Sequence, residues 1–332
     1  MPNAEHYIWF NQKYSKLNNF YIYLIYMEDK YIKYKTKYLE LKNNNTFIQT
    51  GGEKQMIIHE KKIKFVEYDD KKLHVLNTID SDKLYEYSEF PIGSITKLFT
   101  IISLLLLHQK NKININSPIG KYIDNSQIAN LKIIDIVNHK SGLKNMYDNA
   151  EYGYSKKKYN SATEVYNDFI SNGSVINTQP GTYAYSNIGY LLLGVLIEKV
   201  SNMLYSDFVK ENILIPLKMN NTGIEDCNIT LYDDKNKKLT KFQKWERTFA
   251  SSAGELKSCV NDLINFSKFF KLLNKDSIEI LKKLYCFEEN IKDNTFVITH
   301  NGGISGGSSS LTITFNKNFR MKKIFVYLIT AV

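Results

Sequence analysis

The order of apolar and polar positions divides the chain into strand-like ends and a helical middle. Short β-prone runs alternate with charged turns in residues 53–89, and strand-like runs return in residues 295–332. Between them, apolar residues recur at helical spacing, most densely in residues 98–107 and 191–197. This order indicates an α/β (α+β) fold in which an antiparallel sheet flanked by helices carries an inserted all-helical domain. The predicted domains are residues 53–109 with 262–332 for the discontinuous α/β part and residues 110–261 for the helical part.

The same patterns predict the individual elements. The helix that begins at residue 205 is expected to stop before Pro216, because proline breaks a helix interior. The predicted strands are residues 56–59, 63–68, 73–79, 296–299, 309–315 and 324–332, and the predicted helices are residues 98–107, 131–138, 162–171, 188–200, 205–212 and 262–273.

The N-terminal segment, residues 1–45, has a different pattern. Apolar side chains recur at alternating steps of three and four across residues 17–41, with lysines between them. This heptad seam predicts one long amphipathic helix that self-associates, docks on another surface or folds back on its own domain. The lysine- and tyrosine-rich run 30–42, followed by Gly51 and Gly52, resembles a leader found on proteins of mimivirus-type giant viruses.

The charge of the chain raises the question of nucleic-acid binding, because its 332 residues carry a net charge of +10. Nearly all of the positive charge is lysine, since Arg247 and Arg320 are the only arginines. Arginine is the side chain that reads phosphates and guanine in a bidentate manner. We therefore expect no sequence-specific nucleic-acid binding, and non-specific electrostatic binding stays open.

The cysteines and the N-terminus bear on the cellular compartment. Cys227, Cys259 and Cys286 are scattered, and the six histidines do not cluster. We expect no metal, cofactor or disulfide, which fits a reducing compartment. The N-terminus lacks the apolar core of a signal peptide, and the apolar stretch 20–27 is too short to span a bilayer. These features predict an intracellular protein without a transmembrane segment, located in the host cytoplasm or the virion if the chain is viral.

The first candidate for chemistry is the pair Ser94 and Lys97. Pro91 and Gly93 interrupt the chain before the apolar run 98–107, so Ser94 is expected at or next to a helix N-terminus. Residues three apart on a helix share a face, which brings the Lys97 ammonium within reach of the Ser94 hydroxyl. A serine beside a cation and the free N–H groups of a helix end meets the needs of an activated nucleophile.

Two further polar motifs lie in the second half of the chain. The sequence Tyr-Ser-Asn at 185–187 follows a Pro-Gly turn and precedes the apolar run 191–197, which predicts a loop before a helix. The sequence His-Asn-Gly-Gly at 300–303 ends a predicted strand, and its small residues let a ligand approach the backbone. The candidate site residues in these motifs are Tyr185, Asn187, His300, Gly302 and Gly303.

Taken in order, Ser-x-x-Lys, Tyr-x-Asn and His-x-Gly resemble the motifs of the penicillin-recognising serine hydrolases. The group in question comprises class C β-lactamases, D-alanyl-D-alanine carboxypeptidases and family VIII esterases. The turn at 139–143 (His-Lys-Ser-Gly-Leu) and the stretch 252–258 (Ser-Ala-Gly-Glu-Leu-Lys-Ser) also resemble that group. The resemblance implies a β-lactamase/transpeptidase-like fold and a small-molecule substrate: a β-lactam, an ester or a D-amino-acid peptide.

The resemblance also implies a role for each motif residue. Ser94 would attack a carbonyl carbon and form an acyl-enzyme. Tyr185 would act as general base and later as acid, coupled to Lys97, and which of the two holds the proton is a property of the pair. Asn187 would bind the substrate amide and orient Lys97. The backbone N–H groups of Ser94 and Gly303 would form the oxyanion hole.

Histidine stands where the β-lactamases of this group usually have the lysine of Lys-Thr-Gly. The pKa of a histidine is about 6.5 in the absence of perturbation, so His300 is expected to be mostly uncharged at pH 7. This weakens the attraction for the carboxylate of a β-lactam and suits esterases and peptidases equally well. We therefore predict that His300→Lys raises penicillin turnover relative to ester turnover. His108 and His139 are expected to have structural roles.

The C-terminus is a second departure. The sequence ends at Val332 in the last predicted strand, whereas the group normally adds a C-terminal helix that covers one sheet face. Either the chain is truncated or another segment covers that face, and the apolar seam 17–41 is the candidate for such a segment.

A β-lactamase-like acyl hydrolase is the favoured function. An esterase or D-amino-acid carboxypeptidase of the same fold, and a weakly active or non-catalytic family member with a binding or structural role, stay open as alternatives.

Overall fold

The chain forms two compact units, Met1–Lys61 and Lys62–Val332. In the first unit, β1 (Phe47–Thr50) and β2 (Glu53–Met56) pair as an antiparallel hairpin. The helix predicted within residues 1–45 lies outside the described residues, and with it the predictions of its self-association and of its position on the sheet. The computed structural model describes residues 47–50, 53–56, 64–69, 71–77, 83–145, 158–170, 178–231, 241–304 and 307–330.

The second unit is built on one antiparallel sheet. Its strands are β3 (Lys64–Asp69), β4 (Lys72–Asn77), β7 (Phe287–Asn290), β8 (Thr295–Ile304), β9 (Gly307–Asn316) and β10 (Met321–Thr330), while β5 (Phe90–Pro91) and β6 (Lys257–Ser258) form a separate two-stranded ladder. The order in the sheet is β4-β3-β10-β9-β8-β7, and every neighbouring pair is antiparallel. Strands from both ends of the unit therefore meet in one sheet, which confirms the predicted fold class.

The side chains of β9 illustrate why these segments form strands. Leu311, Ile313 and Phe315 are fully buried, whereas Thr312 and Thr314 between them are half-buried. This alternation has the two-residue period of a strand with one face on the core. The register with β8 sets Leu311 opposite His300.

Eight α-helices of four residues or more lie in the described part of the second unit. They are α1 (Thr96–Gln109), α2 (Ile133–Val137), α3 (Ala162–Ile170), α4 (Asn187–Ser201), α5 (Tyr205–Val209), α6 (Lys241–Gly254), α7 (Val260–Phe266) and α8 (Lys275–Leu281). The helices α6 and α8 and the strand β7 were not predicted from the sequence. The domain boundaries given above stay a prediction.

The expected stop before Pro216 is wrong. After α5 the chain continues through a π-helical turn, Lys210–Leu214, into a last α-helical turn, Ile215–Leu217. Pro216 therefore falls at the start of a new helical turn, where its missing N–H is not needed. The prediction for residues 262–273 is also too long, because α7 ends at Phe266 and a separate 3₁₀ turn, Phe269–Leu272, follows.

Helices α1 and α4 form the centre of the core. Residues 96–107 of α1 and 187–198 of α4 are all buried, and α1 packs against both α4 and α6. A helix that is apolar all round is buried on every side. Any polar side chain on the first turn of either helix is therefore carried into the interior.

Within the described residues, no single helix has both the length and the apolar character to cross a membrane. Two helices joined by a sharp bend, Asn187–Ser201 and Tyr205–Leu217, are long and apolar enough when taken together, by length and composition only.

Candidate active site

Ser94 lies where the sequence predicts it, directly before a buried helix. It belongs to the 3₁₀ turn Gly93–Ile95, which leads into α1. Gly93 has a φ of +48°, a conformation that glycine adopts without steric cost. Lys97 is in the first turn of α1, and its Nζ atom lies 3.0 Å from Ser94 Oγ. The Ser-x-x-Lys spacing thus brings the two side chains into hydrogen-bond contact.

Lys97 is fully buried and has three oxygen partners. Besides Ser94 Oγ, its Nζ lies 2.7 Å from Asn187 Oδ1 and 2.7 Å from the carbonyl oxygen of Ala253. Burial lowers the pKa of Lys97 well below its usual value near 10.5, because a charged amine is costly away from water. The lowered pKa makes the neutral amine easier to form. A neutral amine that keeps its N–H bonds to these two carbonyl oxygens would have its lone pair available for the proton of Ser94, to which Nζ donates in this structure.

The carbonyl of Ala253 comes from the end of α6. The helix is kinked at Ser251, whose φ of 34° and ψ of −127° are not helical. The last carbonyls of a helix have no partner within it. Two of them are used by α1: that of Ser252 accepts from Thr100 Oγ1 at 2.7 Å, and that of Ala253 accepts from Lys97. The stretch 252–258 stood out in the sequence, but nothing in it indicated that its backbone would bind Lys97.

Tyr185 also contacts Ser94. It is the last but one residue before α4, and its hydroxyl donates to Ser94 Oγ at 2.8 Å. Ser186 caps the helix by accepting from the Gly189 amide at 2.9 Å. Tyr185 is therefore on the loop, as predicted, but Asn187 is the first residue of α4 and not part of that loop.

Both polar atoms of the Asn187 side-chain amide form hydrogen bonds. Its Oδ1 accepts from Lys97, and its Nδ2 donates to Asn145 Oδ1 at 2.8 Å. The predicted orientation of Lys97 by Asn187 matches this contact. Asn145 was missed by the sequence analysis, because it belongs to no motif and reaches the site only through the fold.

The two glycines of the His-Asn-Gly-Gly motif lie against the Ser94 turn. A Cβ on Gly93 would stand 2.8 Å from the amide nitrogen of Gly303, and a Cβ on Gly302 would collide with the carbonyl of Ile92 and the hydroxyl of Ser309. A Cβ on Gly303, by contrast, would meet nothing within 4 Å. The backbones of Gly303 and of the Ser94 turn are therefore adjacent, as the proposed oxyanion hole requires.

His300 lies at a different place in its strand from the one that the sequence predicted. It lies within β8, which continues to Ile304, and not at the end of the strand. Its Nδ1 is 2.7 Å from the carbonyl oxygen of Asn301, and its Nε2 is 2.8 Å from the hydroxyl of Tyr285. Burial, reinforced by the charge of Lys97, lowers the pKa of His300 to about 3. The ring is thus neutral at pH 7, donating through Nδ1 and accepting through Nε2.

Tyr285 is the second residue that the sequence analysis missed. Burial raises its pKa well above 10, which keeps the phenol protonated and able to donate to His300. Its backbone N–H donates to Asn138 Oδ1 at 2.9 Å, and Tyr190 donates to its hydroxyl at 3.4 Å. No motif surrounds Tyr285, so only the packing of the chain connects it to the site.

A separate cavity of about 720 Å³ lies between the helical elements, away from Ser94. It is lined by residues that include Tyr166, Glu198 and Lys199. The Glu198 carboxylate already accepts from the backbone N–H groups of Ala162 and Tyr205 at 2.9 and 3.1 Å, which ties α3 and α5 to α4. None of the predicted site residues lines this cavity. In the part of the chain that the structure describes, no three His, Cys, Asp or Glu side chains cluster as metal ligands would.

Relatives of this chain include bacterial penicillin-binding proteins. Penicillin-binding protein 4* of Bacillus subtilis (strain 168) is 29% identical over 138 residues, which cover 41% of this chain and 31% of that protein. Protein flp of Staphylococcus aureus (strain MW2) is 28% identical over 159 residues, which cover 45% of this chain and 31% of that protein. The aligned part of the chain therefore spans less than a third of the length of these relatives.

Solved structures of the same fold include a D-stereospecific amidohydrolase from Streptomyces sp., with a TM-score of 0.62 at 18% identity, covering 81% of this chain and 89% of that one. Because the identity is so low, this likeness shows the fold alone. A family profile described as Beta-lactamase matches residues 75–284, which is more than half of the chain. The chain therefore belongs to the beta-lactamase family, whose members are in general serine hydrolases.

Proposed function

We propose that the protein is a serine acyl hydrolase in which Ser94 is the nucleophile. One observation carries the proposal: Ser94 Oγ lies between Lys97 Nζ at 3.0 Å and the Tyr185 hydroxyl at 2.8 Å. A nucleophile with a proton acceptor on one side and a proton donor on the other has what acyl transfer needs.

In the first half-reaction, the Ser94 hydroxyl gives its proton to the neutral amine of Lys97 while Oγ attacks the carbonyl carbon of the substrate. The carbonyl oxygen becomes negative and is stabilised by the N–H groups of Ser94 and Gly303, each such donor being worth roughly 3 kcal/mol. As the intermediate collapses, the leaving group takes the proton of the Tyr185 hydroxyl. The products are an acyl-Ser94 ester, a Lys97 ammonium and a Tyr185 phenolate.

The second half-reaction restores all three groups. A water molecule attacks the acyl carbonyl and gives its proton to the Tyr185 phenolate. Ser94 Oγ then leaves, taking the proton of the Lys97 ammonium, and the acid product is released. This assigns the first proton acceptor to Lys97, whereas the resemblance implied Tyr185 as the general base, coupled to Lys97. The depressed pKa of Lys97 supports the assignment.

The neutral state of His300 supports a substrate class. Both of its ring nitrogens are engaged and its pKa is about 3, so it offers no positive charge to a substrate carboxylate at pH 7. We therefore infer that esters and amides without a carboxylate on the leaving side are the better substrates. The D-stereospecific amidohydrolase that shares the fold makes D-configured amides a suitable class to test.

The test is covalent labelling followed by turnover. The protein and its Ser94→Ala variant are incubated with a fluorophosphonate probe and with a fluorescent penicillin, and the adduct is located by peptide mass. We expect a Ser94-dependent adduct and turnover of p-nitrophenyl acetate. A protein that forms no Ser94-dependent adduct with either probe and cleaves no ester would contradict the proposal and favour the non-catalytic alternative.

A second candidate function, β-lactam hydrolysis, is favoured by the family itself. His300→Lys separates the two candidates, because it restores a cation where the ring is neutral. We expect this variant to raise the ratio of penicillin turnover to ester turnover. An unchanged ratio, measured on variant protein that circular dichroism shows to be folded, would mean that residue 300 does not select the substrate.

A further inference from the structure

His139 bonds to the chain on both sides of Tyr185. It lies in the turn after α2 and is completely buried. Its carbonyl oxygen accepts from the Ala184 amide at 2.7 Å, and its ring nitrogen Nδ1 accepts from the Ser186 amide at 3.1 Å. A single residue thus fixes the backbone immediately before and immediately after the tyrosine whose hydroxyl meets Ser94.

The ring of His139 also fixes the side chain of Tyr185. The two ring centroids are 4.4 Å apart, and the rings are tilted by 31°. The rings of Tyr183, Tyr190 and Tyr285 lie against the imidazole from other directions, at centroid distances of 5.8, 5.1 and 4.8 Å. The imidazole therefore has a single orientation, and Tyr185 packs on it.

The hydrogen bond from Ser186 defines the protonation state of the imidazole. Because Nδ1 accepts, it carries a lone pair, and the proton of the neutral ring is on Nε2. Nε2 has no hydrogen-bond partner among the described residues. A buried donor left unpaired is destabilising, and an apolar aromatic ring of the same shape would avoid that destabilisation. An apolar ring, however, could not accept from the Ser186 amide.

The backbone of His139 adds a second cost. Its φ is +56°, a left-handed conformation that is uncommon for residues other than glycine, although histidine, asparagine and aspartate adopt it more often than the rest. This conformation turns the chain so that carbonyl and ring both reach the Tyr185 loop. Residue 139 thus has an unpaired hydrogen-bond donor and an uncommon backbone conformation. In that conformation it accepts two hydrogen bonds, from the backbone amides of residues 184 and 186.

We infer that His139 is a positioning residue that holds the Tyr185 hydroxyl at Ser94 through the amides of Ala184 and Ser186. The inference rests on the proposed function, because it concerns the proton donor of that reaction. It does not make His139 a catalytic residue, since the contacts that carry the inference are to the amides of Ala184 and Ser186 and to the ring of Tyr185.

The electrostatic environment keeps this arrangement intact. Burial lowers the pKa of His139 well below 6.5, and the nearby Lys97 and His300 lower it further. The remaining titratable groups that face the ring are the phenols of Tyr183, Tyr185, Tyr190 and Tyr285. A proton on Nδ1 would remove the acceptor for the Ser186 amide, so the neutral ring is the form that can hold the loop.

Two substitutions separate positioning from packing. His139→Phe keeps an aromatic ring against Tyr185 but removes the acceptor for Ser186. His139→Asn loses the ring but keeps an acceptor oxygen close to the position of Nδ1, and asparagine tolerates the left-handed backbone. The matched control is His108→Phe at the far end of α1, where the histidine contacts Ile113 and Asp276 and not the site.

The readouts are kcat and KM for p-nitrophenyl acetate, with the folded fraction measured by circular dichroism. We expect His139→Phe to lower kcat by on the order of 10- to 100-fold with little change in KM, as for a misplaced reacting group. His139→Asn should recover most of that loss, and His108→Phe should change stability only. Equal losses of kcat in the phenylalanine and asparagine variants, or no loss in either, would overturn the inference while leaving Ser94-dependent catalysis intact.

A measurement on the unchanged protein covers the case in which the variants do not fold. The ¹⁵N chemical shifts of the His139 imidazole at pH 7 should report a neutral ring with its proton on Nε2. A proton on Nδ1 overturns the role given to His139, whatever the variants do. Absence of Ser94-dependent turnover in the unchanged protein is a different result, because it overturns the proposed function and the positioning role with it.

Discussion

Lys97 illustrates how burial changes the chemistry of one side chain. A lysine in water is an ammonium at neutral pH and cannot accept a proton. In the core of this protein burial lowers its pKa well below 10.5, which makes the neutral amine easier to form, and two carbonyl oxygens lie 2.7 Å from Nζ. A neutral amine that donates to both would have its lone pair available for the proton of Ser94.

The first prediction concerns the pH dependence of acylation. The neutral form of Lys97 is populated above its pKa, and that pKa is depressed. The rate of Ser94 labelling by a fluorophosphonate should therefore rise with pH and reach its plateau well below pH 10.5. Lys97→Arg, which stays charged, should lower the rate by about 100-fold or more and remove the rise. A rate in the wild-type protein that keeps rising up to pH 10.5 would argue against Lys97 as the proton acceptor.

His300 gives a prediction about acid stability. Its folded-state pKa is about 3, below the value near 6.5 of an unfolded histidine, so the unfolded chain binds the extra proton first as the pH falls. The stability that His300 contributes is complete above about pH 6.5 and is lost as the pH approaches 3. Between pH 6.5 and 4.5 we expect its share of the free energy of unfolding to fall by about 2 kcal/mol.

Urea denaturation at several pH values measures this loss. His300→Gln cannot titrate in this range, so its stability should fall less steeply below pH 6.5 than that of the wild-type protein. His108→Gln serves as the control, because His108 lies outside the Ser94 site and bonds to the carboxylate of Asp276. If wild type and His300→Gln have parallel pH profiles, His300 is not held neutral by the fold.

At the scale of elements, the site depends on how closely β8 approaches the turn before α1. Gly302 lies against the carbonyl of Ile92, and Ser309 on the neighbouring strand donates to the same carbonyl at 2.8 Å. Gly93 lies against the backbone of Gly303. The absence of side chains at these positions lets a strand and a helix N-terminus meet backbone to backbone.

The adjacent glycines of β8 give a matched pair of substitutions. Gly302→Ala forces a methyl group into backbone atoms and should lower the free energy of unfolding by about 2 kcal/mol or more. Gly303→Ala has open space around its Cβ and should change that free energy by no more than about 0.5 kcal/mol. Thermal denaturation of the two variants measures the difference. Similar stabilities would show that β8 is not in close contact with Ile92.

At the scale of the whole molecule, a buried ion pair joins segments that are far apart in sequence. Lys257 Nζ lies 2.6 Å from Glu89 Oε2, and each side chain is only 9% exposed. Glu89 also accepts from the Asn228 amide at 2.8 Å, and Lys257 donates to the carbonyl of Asp226 at 3.0 Å. The pair thus connects the segment leading to Ser94, the segment at 226–228 and the strand that follows α6.

Breaking this pair should cost far more than replacing it. Lys257→Met leaves the Glu89 carboxylate buried without its cation, which typically costs about 3–5 kcal/mol, whereas replacing both partners by apolar residues is often close to neutral. We therefore expect Glu89→Leu combined with Lys257→Met to be more stable than Lys257→Met alone in urea denaturation. A double variant less stable than the single one would mean that the hydrogen bonds of Glu89 to residue 228 matter more than the ion pair.

The sequence predicted the parts of this protein that depend on local pattern. The helix after Ser94 and the strands near the C-terminus follow from periods of three to four and of two residues, which arise from backbone geometry alone. The helix α6 was not predicted, although Phe242, Trp245 and Phe249 recur at helical steps of three and four, and a kink at Ser251 interrupts it. Its packing against α1 comes from tertiary contacts that local pattern does not contain.

By itself the sequence also determined which side chains carry the candidate chemistry: Ser94 and Lys97 are in contact because residues three apart share a helix face. Only the tertiary structure decided the hydrogen-bond partners and the pKa values of the site residues. The Ala253 carbonyl that binds Lys97, the Tyr285 hydroxyl that binds His300 and the His139 ring that holds the Tyr185 loop all come from segments distant in the chain. The pKa of a buried group depends on its neighbours and on the exclusion of water, and neither exists until the chain has folded.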